Sequence, residues 1–212
     1  AALLAERVGR VQAQDCGWIF HIAHCGSTLL ARALDALGGG LVLREPLALR
    51  QAALGDAASG RLELVLRLLA RRYPGGGLSI VKANVPVNFV IPQIAVAMPH
   101  APAVLLYYEL ADYLLAILRS ENHRAWLRRV TDELGAALPA HRPLDAERAA
   151  ALWWAQMDMF GFALEAMPGG RALDAERFFA APEQALRAAA VLFGIAASPA
   201  RIAEVTGSAL FA

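Results

Sequence analysis

Lysine is almost missing from this sequence: Lys82 is the only one, against nineteen arginines, and only two cysteines occur in 212 residues. The imbalance fits GC-rich coding first and singles out Lys82 second. Cys16 and Cys25 lack C-x-x-C spacing, so no disulfide framework is expected and a cytoplasmic, reducing setting is the default. Excess charge is also missing. A net charge of +1 supplies no field for nucleic acid or a membrane surface, and neither partner is expected. No run of about 18 apolar residues free of charge or proline occurs, so no transmembrane helix is expected. His100, His123 and His141 are scattered without H-x-x-x-H or Cys/His grouping, so no metal site is expected. Internal repeats and low-complexity linkers are missing too.

What remains is an alanine-rich chain, 58% hydrophobic and 18% charged, which excludes a disordered polymer. Its length suits one domain, residues 1–212, with a core that needs no staples. The segment Ala1–Gln14 places Glu6, Arg7 and Arg10 among apolar residues and reads as an amphipathic helix, not a signal peptide.

Short apolar runs predict strands at Gly17–Ala23, Leu41–Leu43, Leu78–Val81, Ala103–Tyr107 and Arg171–Leu173. Helices are predicted at Leu29–Leu37, Arg61–Tyr73, Asp112–Ser120, Arg124–Ala137, Ala146–Ala166 and Pro182–Phe193. Glycine runs at Gly38–Gly40 and Gly75–Gly77 read as helix stops, and Pro139–Pro143 as a surface excursion. The alternation implies an α/β fold of three layers, with a central, mainly parallel sheet flanked by helices. Ligands of such sheets sit at the carboxyl ends of the strands. Four stretches should meet there: His24–Thr28, Arg44–Pro46, Lys82–Asn84 and Tyr108–Asp112.

The first stretch is the most informative. In "WIFHIAHCGSTLLARAL" an apolar strand runs through His24, Cys25, Gly26, Ser27 and Thr28 into a helix. A helix start offers unpaired N–H groups and partial positive charge; glycine permits close approach, and Ser27 and Thr28 add hydroxyl donors. A simple Ser/Thr helix cap is the plain alternative. A Walker A loop needs G-x-x-x-x-G-K-[ST], and the lysine is absent. A cysteine-phosphatase loop would need arginine six positions after Cys25. That position is Ala31, and Arg32 comes one step late, about 100° further round the helix. Cys25 therefore reads as a buried small hydrophobe.

The runs "FHIAHCGSTLLARALDAL" and "REPLALR" resemble the bacterial sulfotransferases of the P-loop superfamily. The resemblance continues weakly through "LWWAQM" and "ALDAERFFAAPEQALRAAAVLFGI". It implies a loop, His24 to Leu29, that cradles the 5′-phosphosulfate of 3′-phosphoadenosine-5′-phosphosulfate (PAPS), with His24 at the usual lysine position. It implies a small-molecule or glycan acceptor carrying a hydroxyl or amine; no motif names that acceptor or an oligomeric state. Glu45, in an "EP" context after a strand, is the expected general base. Lys82, in "IVKANVP", is expected to neutralise charge on the leaving phosphate. Asn84 stands where cytosolic members carry a histidine base. The family holds the 3′-phosphate with an arginine and a serine, and those positions are Tyr108 and Ala116 here. Arg119 and Ser120, one turn on, are the expected substitutes, with Arg124 as another. A protein that keeps the fold and binds nucleotide or anion without transfer is the alternative; an unrelated P-loop kinase is disfavoured by the absent Walker lysine. The stripe Trp153, Met157, Phe160 and Leu164 reads as core, with Trp153 or Trp154 as a lesser candidate for an acceptor pocket. "WLRRV" at Trp126–Val130 reads as the solvated side of a helix.

Overall fold

The run Gly17–His21 (β1) is buried at every position, as a strand covered on both faces must be. Trp18 and Phe20 project to one side, where their rings stack 5.4 Å apart. In the computed structural model, which describes residues 15–55, 60–72, 75–140 and 142–211, β1 is the centre of a five-stranded sheet. Val42–Arg44 (β2), Ile80–Lys82 (β3), Ala103–Tyr107 (β4) and Gly170–Asp174 (β5) complete it, in the order β2-β3-β1-β4-β5. Every pairing is parallel. The expected α/β fold is therefore the observed one. The chain changes direction across the sheet at β1, and the crevice beyond its carboxyl end is where such sheets hold ligands.

Ten α-helices occur among the described residues. They are Ser27–Leu37 (α1), Leu47–Ala53 (α2), Arg61–Leu69 (α3), Ile91–Ala97 (α4), Leu110–Leu118 (α5), Glu121–Leu134 (α6), Asp145–Ala166 (α7), Ala175–Ala180 (α8), Pro182–Leu192 (α9) and Pro199–Thr206 (α10). One layer packs α1 with α9 and α10; the other packs α7 with α4, α5 and α6. No helix among the described residues is long and apolar enough to cross a membrane.

Several boundaries differ from expectation for physical reasons. The helix predicted to reach Ala137 ends at Leu134, where Gly135 takes φ 48°, and a 3-10 turn follows. The helix beginning at Arg61 ends at Leu69; the expected end, Tyr73, and the amphipathic stretch Ala1–Gln14 lie outside the described residues. The buried face of α7 is Ala149, Leu152, Gln156, Phe160 and Ala163. Of the expected stripe, Phe160 is buried, Trp153 and Met157 pack partly buried against the core, and Leu164 is exposed. The glycine runs do more than end helices. Gly77 N–H donates to Gly39 O at 2.9 Å, and a Cβ on Gly77 would stand 2.0 Å from that oxygen. The backbones leading into β2 and β3 meet where no side chain fits.

Candidate functional site

The loop after β1 is held from beneath by a histidine. His21, only 5% exposed, accepts from Ala23 N–H through Nδ1 at 3.0 Å and donates through Nε2 to Ala83 O at 2.8 Å. Both ring nitrogens are committed, so the ring is neutral. Burial, and then the charge of Lys82, pushes its pKa down to about 3. This staple joins the end of β1 to the end of β3. Above it the chain turns sharply: Ala23 and His24 take φ 74° and 52°, and Gly26 takes 84°. Positive φ at two non-glycine residues in one loop is costly, and such strain concentrates at ligand sites. A Cβ at Gly26 would also stand 2.7 Å from the Phe179 ring, so glycine is needed twice over. Helix α1 starts directly afterwards with no side chain capping it. Its first N–H groups are left for an external acceptor.

Glu45 is tied to Lys82 twice. Its N–H donates to Lys82 O at 2.8 Å, extending the β2–β3 ladder by one step. Its Oε1 accepts from Lys82 Nζ, and its Oε2 accepts from Asn84 Nδ2 at 3.3 Å. Lys82 is 3% exposed, whereas the Glu45 side chain is 43% exposed. Glu45 itself sits at φ 53°, another non-glycine residue in the left-handed region. His21 Nε2 lies 3.8 Å from Glu45 Oε1, but a neutral ring adds no ion pair. Asn84 Oδ1 is buried and unpartnered, and turning the amide over would face that oxygen to the carboxylate.

These groups open on one cleft of 710 Å³. His24, Gly26, Ser27, Thr28, Glu45 and Lys82 line it. Three of the four expected strand-end stretches thus converge; Tyr108–Asp112 does not reach it. Cys25 and Leu29, expected at the phosphate site, turn their side chains away. Cys25 is fully buried, its Sγ 3.7 Å from Leu106 O, and burial pushes its thiol pKa up to about 12. That removes any thiolate nucleophile, so Cys25 and Leu29 offer only backbone N–H groups.

The roof of the cleft is α6, and here expectation fails. Trp126, Arg129 and Val130 line the cleft and Leu127 is buried, so of "WLRRV" only Arg128, bonded to Asp145 and Glu121, and Arg129 are exposed. The ring of His123 stacks on His24 with centroids 3.8 Å apart, and Trp126 meets His24 edge-on at 5.3 Å. Partial burial, then the charges of His123 and Arg119, pushes the His24 pKa down to about 4. At its other end α6 is pinned to α2 by an Arg50–Glu133 ion pair. The signal for this roof was the amphipathic period of Glu121–Leu134, which ranks charge against apolar faces but not cleft against solvent.

Arg119 and Ser120 lie outside the cleft lining. Arg119 is exposed, and its charge acts on both His24 and Tyr108. Ser120 Oγ caps α6, accepting from His123 N–H at 3.3 Å, and Ala116 O is bonded to His123 Nδ1 at 2.9 Å. Arg124 is committed to Leu118 O and Glu121. Neither tryptophan lines the cleft: Trp153 Nε1 donates to Tyr108 O at 2.9 Å, and Trp154 is 66% exposed elsewhere. No group of three or more metal-ligating side chains occurs among the described residues.

No family model matches the sequence, and no curated protein matches it. Solved structures do match in shape. The chain is similar to the sulfotransferase domain from the curacin biosynthetic pathway, with TM-score 0.61 and 13% identity over 95% of this chain and 83% of that one. It is also similar to a sulfotransferase from Alicyclobacillus acidocaldarius, with TM-score 0.55 and 18% identity over 87% and 82% of the two chains. At these identities the likeness is one of architecture, and the fold is sulfotransferase-like.

Proposed function

We propose that the protein is a single-domain sulfotransferase that moves a sulfuryl group from PAPS to a hydroxyl or amine acceptor. The observation that carries this reading is the placement of the Glu45–Lys82–Asn84 cluster in the same cleft as the uncapped start of α1. The N–H groups from Gly26 to Leu29, with the Ser27 and Thr28 hydroxyls, suit a phosphosulfate. Arg119 suits the 3′-phosphate end, with the Ser120 hydroxyl hydrogen still free to donate.

In this reading Glu45 takes the proton of the acceptor as the acceptor's oxygen or nitrogen bonds to sulfur. The bond from sulfur to the bridging phosphate oxygen breaks, and 3′,5′-adenosine bisphosphate leaves. Protonation of Glu45 cancels the charge that holds Lys82. The buried ammonium is then the nearest uncompensated cation for the charge growing on the leaving phosphate. One acid–base event thus serves both ends of the transfer.

A second reading is a nucleotide- or anion-binding protein without transfer. It is favoured by Tyr108 and Ala116 at the positions of the family's arginine and serine, and by a carboxylate already held by two donors. Calorimetric titration with 3′,5′-adenosine bisphosphate decides first. Binding that weakens about tenfold in Thr28→Ala, the loss of one charge-assisted hydrogen bond, supports both readings. No heat from the wild-type protein overturns the sulfotransferase reading. Sulfuryl transfer that disappears in Glu45→Gln while nucleotide binding persists then selects the enzyme.

A further inference from the structure

The cleft has an uneven charge distribution. Five charged side chains other than histidine line it: Glu45, Arg50, Lys82, Arg129 and Glu133. Lys82 is paired with Glu45, and Arg50 with Glu133. Arg129 has no carboxylate within ion-pair distance among the described residues. Its neighbours on α6 are different: Arg124 and Arg128 each hold Glu121 and reach Asp145.

Its position matters as much as its freedom. Trp126 lies against His24, at the phosphate loop, and Glu133 lies against Arg50 on α2. Arg129 falls between them on the same helix, three residues and about 4.5 Å along the axis from Trp126. Leu47, Val85, Pro86 and Val130 also line the cleft. Leu47 is 63% exposed, whereas Val85, Pro86 and Val130 are buried. The cleft therefore offers two places for negative charge. One is the loop at His24–Thr28; the other is Arg129, on α6 between the Trp126–His24 contact and the Arg50–Glu133 pair.

We propose that Arg129 is a specificity-determining residue and that the acceptor carries an anionic group of its own, a carboxylate or sulfate, beside the hydroxyl or amine. The proposal rests on the sulfotransferase reading, which assigns the loop to the donor. Arg129 then holds the far end of the acceptor while its nucleophilic group points at Glu45. Arginine suits this role because its planar fork meets a carboxylate or sulfate with two parallel hydrogen bonds.

The test uses the full chain saturated with 3′,5′-adenosine bisphosphate, so that the loop is filled. 4-Hydroxybenzoate and its neutral methyl ester are titrated separately, with wild type, Arg129→Gln and Arg129→Lys. The expected result is at least tenfold tighter binding of the anion than of the ester in wild type. That preference falls to within twofold in Arg129→Gln and is partly kept in Arg129→Lys. Nucleotide affinity should change less than threefold in both variants. Equal binding of acid and ester by wild type overturns the proposal, as does a preference that survives Arg129→Gln. A tenfold loss of nucleotide affinity in Arg129→Gln also overturns it, because it assigns Arg129 to the donor. Failure of wild type to bind the nucleotide at all is a separate result: it sinks the donor reading and removes the basis for this one.

Discussion

Two glutamates face the cleft, each bound to a cation, and the two pairs are unlike. Glu45 binds a lysine that is 3% exposed, from a strained backbone position, with Asn84 as a second donor. Glu133 binds Arg50 at the rim, with both side chains about a third exposed, across two helices. The first pair places a charged lysine out of water with one carboxylate to compensate it. The second joins roof to floor and keeps its solvation. Burial, and not the number of contacts, sets the two pairs apart.

The largest expected effect comes from breaking the first pair on its acidic side. Glu45→Ala leaves the Lys82 ammonium buried without a counter-charge and should cost about 3 kcal/mol of stability. Urea unfolding measures that. Glu45→Gln costs less, because its amide oxygen still accepts from Lys82. On the sulfotransferase reading both variants lose transfer by about 10²–10⁴-fold, the usual contribution of a general base, in single-turnover assays.

Breaking the same pair on its basic side is asymmetric. Lys82→Met fills the buried space and leaves Glu45 in reach of water, so stability should change by no more than about 1 kcal/mol. Transfer should still fall about 10²-fold, through the lost stabilisation of the leaving phosphate. Equal destabilisation by Glu45→Ala and Lys82→Met would remove the contrast drawn from burial.

Acid tests the floor beneath the first pair. The folded-state pKa of His21, about 3, lies below the ordinary histidine value of 6.5, so the unfolded chain binds the proton more readily. The stability contributed by neutral His21 is complete above pH 6.5 and declines as pH falls from there toward 3. His21→Gln should flatten this decline in unfolding midpoints measured at pH 7 and pH 5. The rim pair should respond least. Arg50→Ala or Glu133→Ala should change stability by about 0.5 kcal/mol, an effect that 0.5 M salt largely removes.

The floor of the site was legible in the sequence, and the roof was not. β4 is found where its apolar run predicts, and the ends of β1, β2 and β3 fall within two residues of expectation. Glu45 and Lys82 stood out because each follows or ends a strand, where a parallel sheet gathers its loops. Helix α2 was missed because the left-handed turn at Glu45 and Pro46 reads as a loop, and α4 because Pro92 reads as a breaker when it occupies the first turn. Arg129 was missed for a different reason. The period of α6 says that one face is apolar, but not that the adjoining edge overhangs a cavity. That information lies in the contact of Trp126 with His24, made over a hundred residues of intervening chain.

The packing of Phe179 behind Gly26 joins residues from opposite ends of the described chain. A ribosome releases the loop before its aromatic backing. During synthesis the strained turn at Ala23–Gly26 has nothing behind it until α8 has emerged. The packing of the loop after β1 is therefore completed only once α8 has been made, about 150 residues later.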